Sequence, residues 1–159
     1  MDLTFDIKNS KGDHVMVALS QYDEVNIRIF TSDRRITDLD FYDVSLSRIS
    51  GTGYVGGKII YGIIKILADF LEENDNAVLC FYCDPSSELP RNHTNMLPQQ
   101  YRSQLFSRMF DNYTKNQEDK FVNHLIKVED GYTVQYAHFI CRKDQEEAIS
   151  LFGASIISK

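Results

Sequence analysis

Residues 48–58 read Arg-Ile-Ser-Gly-Thr-Gly-Tyr-Val-Gly-Gly-Lys, a polar and glycine-rich stretch from which we predict the fold. A helix from about Gly57 to Glu73 is predicted after it, followed by an apolar strand over residues 77–83 that runs into Asp84. A strand–helix–strand unit places its two strands in parallel. Backbone N–H groups at the start of such a helix can hold a phosphate. We therefore expect any cofactor site to lie at this glycine-rich turn.

Length, charge and hydrophobicity indicate one globular domain that does not bind nucleic acid. The chain has 159 residues, of which 43% are hydrophobic and 25% charged, and its net charge is −6. Binding to a phosphate backbone needs clustered Lys and Arg, which an acidic chain lacks. The most apolar run, residues 59–71, is interrupted by Lys65 and Asp69 and is too short to span a bilayer. With no secretion signal at Met1, we expect a cytoplasmic protein without a membrane partner.

The first half of the chain is predicted to form four strands, because apolar residues alternate with polar ones. The apolar positions are Leu3, Phe5 and Ile7; Val15, Val17 and Leu19; Val25, Ile27 and Ile29; and Phe41, Val44 and Leu46. Their short connections predict an antiparallel meander. The next helix carries an apolar stripe at helical spacing, and residues 77–83 are apolar on both faces, as in a central strand.

The second half adds a helix from about Pro98 to Tyr113, a hairpin of residues 121–128 and 132–142, and a last helix opened by a capping box of Asp144 and Glu147. The element order is therefore ββββ-α-β-α-ββ-α. We predict a single α+β domain, residues 1–159, with a mixed, mainly antiparallel sheet of about seven strands. The three cysteines are expected to be buried core residues. His124 and His138 are expected to face one another across the hairpin, without a metal.

Two nucleotide-binding motifs match the glycine-rich turn only in part. Residues 51–56 satisfy the dinucleotide-binding fingerprint and are similar to the glycine-rich motif of nucleotide-sugar dehydrogenases. However, the half-polar residues 45–50 precede them, and Asp84 comes 28 residues after Gly56 instead of about 20. Residues 52–58 resemble a P-loop without its first glycine, and Ile59 stands where a hydroxyl should hold magnesium.

Residues 48–53 give a third interpretation, because Arg-Ile-Ser-Gly-Thr-Gly is similar to the Arg/Gln-x-x-Gly-x-Gly/Ala motif of GCN5-related N-acetyltransferases. In that family the turn follows an antiparallel meander and opens a helix, and a strand, a second helix and a closing hairpin come next. The element order from about residue 24 to 142 resembles this arrangement. The resemblance implies an acetyltransferase-like fold in which Arg48, Gly51, Thr52 and Gly53 bind acetyl-CoA or another acyl-CoA.

An acyltransferase of this kind transfers an acyl group from a thioester to a small-molecule or peptide amine. The reaction needs a base for the attacking ammonium and an acid for the leaving thiolate. Asp43, on the predicted fourth strand, is the candidate base, acting through water, and Tyr113 is the candidate acid. Asp84 and Glu88 are candidates for binding a cationic substrate. No metal is required.

The chain departs from the family where the general acid is expected. Alignment of residues 105–110 with the family pattern places Phe106 at the tyrosine and Met109 at a glycine, and phenylalanine cannot donate a proton. Only a short turn occupies the place of two N-terminal helices. In addition, Arg102, Leu105 and Phe106, coming after a strand that ends at Asp84, resemble a small bacterial protein family without an assigned activity.

The second hypothesis is therefore a non-catalytic bacterial protein on the same scaffold, which acts through a protein partner or as a homodimer. The glycine-rich turn would then be a tight connection kept for packing. An exposed apolar patch across the closing hairpin would favour this hypothesis. An open cleft between the predicted fourth and fifth strands would favour the enzyme.

Overall fold

The computed structural model describes residues 2–23, 31–51, 57–83, 98–115, 120–129, 131 and 134–157. Within these ranges the chain forms six strands, four α-helices and one 3₁₀ turn, Lys143–Gln145. The strands are β1 (Asp2–Lys8), β2 (His14–Gln21), β3 (Asp40–Ser50), β4 (Ala77–Cys83), β5 (Phe121–Glu129) and β6 (Val134–Arg142). The helices are α1 (Arg34–Thr37), α2 (Gly57–Glu73), α3 (Pro98–Thr114) and α4 (Glu146–Ile157).

The six strands form one sheet in the order β1-β2-β3-β4-β6-β5. All neighbouring pairs are antiparallel except β3 and β4, which are parallel. This confirms the predicted α+β class, the mixed sheet and the parallel pair around α2. The predicted closing hairpin is also present, and β6 lies between β4 and β5 because its two edges pair with both.

The predicted four-stranded meander is wrong in its pairing. The strand predicted at Val25–Ile29 falls in residues 24–30, which lie outside the described ranges. In a meander that strand would separate its neighbours, but β2 pairs directly with β3, for example Leu19 with Val44. Alternation alone could not reveal this, because it shows which residues are half-buried and not which strand they pair with.

Helices cover both faces of the sheet and divide its core in two. On the α2/α3 face the core contains Ile63, Leu67, Leu79, Phe81 and Phe106, among others. On the α1/α4 face it contains Ile36, Phe41, Cys80, Phe139 and Phe152, among others. Successive residues of β4 alternate between the two cores, as strand geometry requires. The prediction of a central strand covered on both sides is therefore confirmed.

Helix α2 has its predicted bounds and α3 ends one residue later than predicted, whereas other details of the second half differ. The last helix follows the 3₁₀ turn. The capping interaction lies at the start of that turn, where the Arg142 N–H donates to Gln145 Oε1 at 3.2 Å, and it replaces the predicted Asp144–Glu147 box. Arg102, on α3, is buried and exposes only 7% of its surface. All three cysteines are buried and unpaired by disulfides, as predicted.

The parallel pairing of β3 and β4 is short, and this feature positions the candidate site. Pairing runs from Asp40 with Ala77 to Val44 with Phe81. However, β3 continues to Ser50 and β4 to Cys83. Beyond Val44, the described part of β3 pairs only with β2, and the end of β4 pairs only with β6. The sheet therefore opens between β3 and β4 after this last pair, and we call this opening the β3/β4 split.

Candidate functional site

Asp43 lies one residue before the last pair at the β3/β4 split. Its neighbours across the sheet are Ser20 of β2 and Cys80 of β4. Directly paired residues share a face, so the Asp43 side chain lies with Cys80 on the α1/α4 face. The Tyr22 hydroxyl donates a hydrogen bond to Asp43 Oδ1 at 3.3 Å. Tyr82, near the end of β4, also interacts with Tyr22 and Asp43.

The Tyr22–Asp43–Tyr82 cluster holds its protons tightly. Burial raises the pKa of Asp43 above its usual value, and the bond from Tyr22 opposes this only in part. Burial also raises the pKa of Tyr82 to about 12, although 42% of that residue's surface is exposed. The pKa of Tyr22 is raised further, again mainly by burial. The cluster thus joins a carboxylate of increased basicity to a phenol that reaches solvent.

Arg48 and Gly51 are the described members of the predicted cofactor set, since Thr52 and Gly53 fall in residues 52–56, outside the described ranges. Arg48 pairs with Val15 and therefore points to the α2/α3 face, where it is half-buried. Gly51 has a φ of +109°, and a β-carbon at this position would stand 2.3 Å from Asp13 Oδ1. This glycine is thus required by the close approach of the β1–β2 turn, independently of any ligand.

The predicted catalytic pair is not on one face of the sheet. Tyr113 lies near the end of α3 and packs against the core of the α2/α3 face, where its ring contacts Tyr61 with centroids 5.3 Å apart. Asp43 lies on the opposite face. The predicted substrate-binding residues Asp84 and Glu88 lie outside the described residues. The structure therefore brings Asp43 together with Tyr22 and Tyr82 instead, neither of which sequence reasoning selected.

A second polar cluster that sequence reasoning missed is buried under α3. Ser103 Oγ and His138 Nε2 are 2.9 Å apart, and His138 Nδ1 and Asn123 Oδ1 are also 2.9 Å apart. Asn123 Nδ2 donates to Ser107 Oγ at 3.2 Å. Ser103 and Ser107 are one helical turn apart on α3, and this spacing indicated that they share one side of the helix.

The predicted contact between His124 and His138 is wrong. His138 is directly opposite Leu125, whereas His124 is opposite Phe139. The two imidazoles therefore point to different faces of the hairpin. In the described part of the chain, no group of three or more His, Cys, Asp or Glu residues is placed to hold a metal ion.

Comparison with known proteins assigns no family to this chain. A scan against protein-family models finds no match, and a search of curated proteins finds no similar sequence. No helix in the described ranges has the length and apolar character needed to cross a membrane. The two polar clusters and the surfaces around them are therefore the features of the described chain that bear on its function.

Proposed function

We propose that this protein binds an acyl-CoA at the β3/β4 split and transfers its acyl group to an amine. The observation that carries the proposal is the end of parallel pairing at Val44 and Phe81 while both strands continue. The enzyme hypothesis requires an opening between neighbouring parallel strands, and the end of this pairing supports one at the β3/β4 split. The order of β3, α2, β4, α3 and the closing hairpin also agrees with the acetyltransferase-like arrangement.

The described residues around the split suit an acyl-CoA. Past Val44, strand β3 has an edge that does not pair with β4, and the amide groups of a pantetheine arm can bind such an edge as an added strand does. Arg48 lies farther along the same strand, near its end at Ser50, and a guanidinium there can bind phosphate oxygens. The thioester supplies an activated acyl carbon. The chain's own residues orient it and move protons.

Asp43 is the proposed base. Its raised pKa makes the carboxylate a better proton acceptor than an exposed aspartate, and a water molecule can relay the proton from the attacking ammonium. Tyr22 holds the carboxylate in place through its hydrogen bond. Tyr82 is the proposed acid for the leaving thiolate, because it lies at the split, reaches solvent and belongs to the same cluster.

Tyr113 remains the alternative acid. Its ring lies on the α2/α3 face, so it would have to act through the split from the side opposite Asp43. The two tyrosines can be distinguished experimentally, since each carries one hydroxyl that a phenylalanine removes.

The non-catalytic hypothesis makes a different demand on the surface. It requires an exposed apolar patch across the closing hairpin. Within the described residues of β5 and β6, Leu125 is the one exposed large hydrophobic side chain. A single exposed leucine is ordinary for a protein surface, so this observation favours the enzyme over a protein partner or a homodimer.

Calorimetric titration with coenzyme A and acetyl-CoA, with NAD and ATP as controls, tests the proposal. Micromolar binding is expected for wild type and should be lost in Gly53→Glu, whose bulk and negative charge would block the predicted turn. Ser150→Glu is the matched control, because Ser150 is an exposed residue of α4 where a glutamate adds the same bulk and charge away from the turn. Absence of coenzyme A binding to folded wild type would overturn the proposal and direct the search to protein partners.

A further inference from the structure

Ser103, His138 and Asn123 form a hydrogen-bonded chain that joins three elements. Ser103 lies on α3, His138 on β6 and Asn123 on β5. Ser103 exposes 1% of its surface and His138 exposes none. Phe106 packs edge-on against the imidazole, with centroids 5.1 Å apart, and Phe81 lies 6.0 Å away. The imidazole is therefore held in one orientation.

The neighbouring bonds determine which nitrogen of His138 carries the proton. Asn123 donates from its Nδ2 atom to Ser107 Oγ, so its Oδ1 atom faces the imidazole as an acceptor. A neutral imidazole must then donate from Nδ1, which leaves Nε2 with a lone pair. The Ser103 hydroxyl consequently donates to Nε2. This is the arrangement in which a histidine can remove the proton of a serine.

A pocket of about 490 Å³ lies over the hydrogen-bonded residues Ser103, His138 and Asn123. Four α3 residues, Gln100, Ser103, Gln104 and Ser107, are part of its lining, together with Leu125 from β5 and Tyr136 from β6. Side-chain amides of this kind can donate to a developing oxyanion. Arg108 and Asp111 are also part of the lining and give the pocket charges of both signs.

We propose that Ser103 is a nucleophile activated by His138 and oriented through Asn123, and that the pocket over it accepts a small carboxylic ester. Ser103 and His138 are the catalytic residues, since one attacks the ester and the other exchanges the proton. Asn123 is a positioning residue. This site is on the α2/α3 face under α3, and the proposal does not depend on acyl-CoA binding.

The reaction is balanced by the ester and water alone. Ser103 Oγ forms a bond to the carbonyl carbon while its proton passes to His138 Nε2. The bond from that carbon to the alcohol oxygen breaks, and Nε2 returns the proton to the departing alkoxide. Water then repeats the sequence on the acyl-serine and releases the carboxylic acid.

Burial keeps His138 neutral and makes it a weak base. It lowers the pKa of the imidazole from 6.5 to about 4, so the lone pair on Nε2 is present at neutral pH. Asn123 carries no charge to stabilise the imidazolium that forms during attack. We therefore expect slow turnover in the wild type and faster reaction when a carboxylate replaces the amide.

The test is covalent labelling of the full chain with diisopropyl fluorophosphate, followed by intact mass and peptide mapping. An adduct is expected on Ser103 of the wild type, and Ser103→Ala should abolish it. Asn123→Asp should label about tenfold faster, because an anion beside Nδ1 stabilises the imidazolium. Leu125→Ala should also label faster, since Leu125 is opposite His138 and lines the pocket, so a smaller side chain there enlarges it.

Ser45→Ala is the matched control, because Ser45 is an exposed serine on β3 outside the pocket. It should label as the wild type does. The proposal is overturned if folded wild type and Leu125→Ala both remain unlabelled, or if the adduct maps to a serine other than Ser103. Hydrolysis of p-nitrophenyl acetate by wild type and Ser103→Ala gives a second readout. These assays contain no coenzyme A. A negative result in them therefore overturns the Ser103 proposal without bearing on acyl transfer.

Discussion

The Tyr22 hydroxyl lies 3.3 Å from Asp43 Oδ1, so a tyrosine that precedes the α1 region holds a carboxylate beside the β3/β4 split. This bond compensates only part of the cost of burying Asp43, because burial is the larger influence on its pKa. A carboxyl group whose pKa is raised in the folded state stabilises the fold when protonated and loses that contribution as pH rises.

Asp43→Asn should therefore stabilise the protein at neutral pH. The gain comes from removing a carboxylate charge that burial disfavours, and solvent screening limits it because the side chain is only half-buried. The gain should disappear as pH falls below the ordinary aspartate value of 3.8, where wild-type Asp43 is also neutral. Urea unfolding at a series of pH values measures it, with Asp40→Asn on the exposed start of β3 as the control. Equal effects of the two substitutions would contradict this prediction.

If the cluster carries out acyl transfer, Tyr82→Phe should lower the turnover number by about 100-fold, as expected for loss of a general acid. Tyr113→Phe should have a much smaller effect, because its ring lies on the other face of the sheet. The rates are measured with saturating acyl-CoA and an amine acceptor. The reverse order of effects would assign the acid role to Tyr113.

His138 should make the fold sensitive to acid. The folded-state pKa of about 4 lies below the usual 6.5, so the unfolded chain binds a proton first as pH falls. The stability contribution is present above pH 6.5 and is lost between 6.5 and about 4, by about 3 kcal/mol in total. Unfolding free energy against pH measures the loss. His124→Gln should retain it and His138→Gln should reduce it, whereas an unchanged slope in the latter variant would refute the assignment.

Gly51 and Gly12 both have positive φ but differ in their surroundings. No atom lies within 4 Å of the position a β-carbon would take at Gly12, whereas Asp13 Oδ1 lies 2.3 Å from that position at Gly51. Gly12→Ala should cost about 1 kcal/mol from backbone strain alone. Gly51→Ala should cost about 3 kcal/mol, because strain and crowding combine. Chemical denaturation compares the two, and similar values would show that the turn relaxes freely.

Arg142 fastens the end of β6 to the end of α2. One of its terminal nitrogens donates to Leu71 O at 2.8 Å and to Asp75 Oδ1 at 2.9 Å, and its guanidinium lies over the Phe121 ring. Lysine cannot reproduce this planar set of contacts, so Arg142→Lys should destabilise by about 1–2 kcal/mol. Chemical denaturation measures the change. Arg35→Lys is the control, because Arg35 pairs with Asp33 on the surface and should matter little.

Local sequence patterns determined the class of the fold and the extent of its longest elements. The apolar stripe of α2, the proline at the start of α3 and the alternation of the strands depend on residues only a few positions apart. Such patterns report which side of an element is buried, so they predicted the bounds of α2, the burial of the cysteines and the parallel pair around α2.

Pairings between distant elements were decided only by the tertiary structure. The direct contact of β2 with β3 and the meeting of Ser103, 35 residues away in sequence, with His138 depend on where whole elements pack. The burial of Arg102 has the same origin. Asp43 was selected from its strand position, but its partners Tyr22 and Tyr82 come from segments that no local pattern connects. A sequence pattern shows the type of an element and which of its sides is buried. A site requires side chains from separate elements to meet, and only the packing of those elements brings them together.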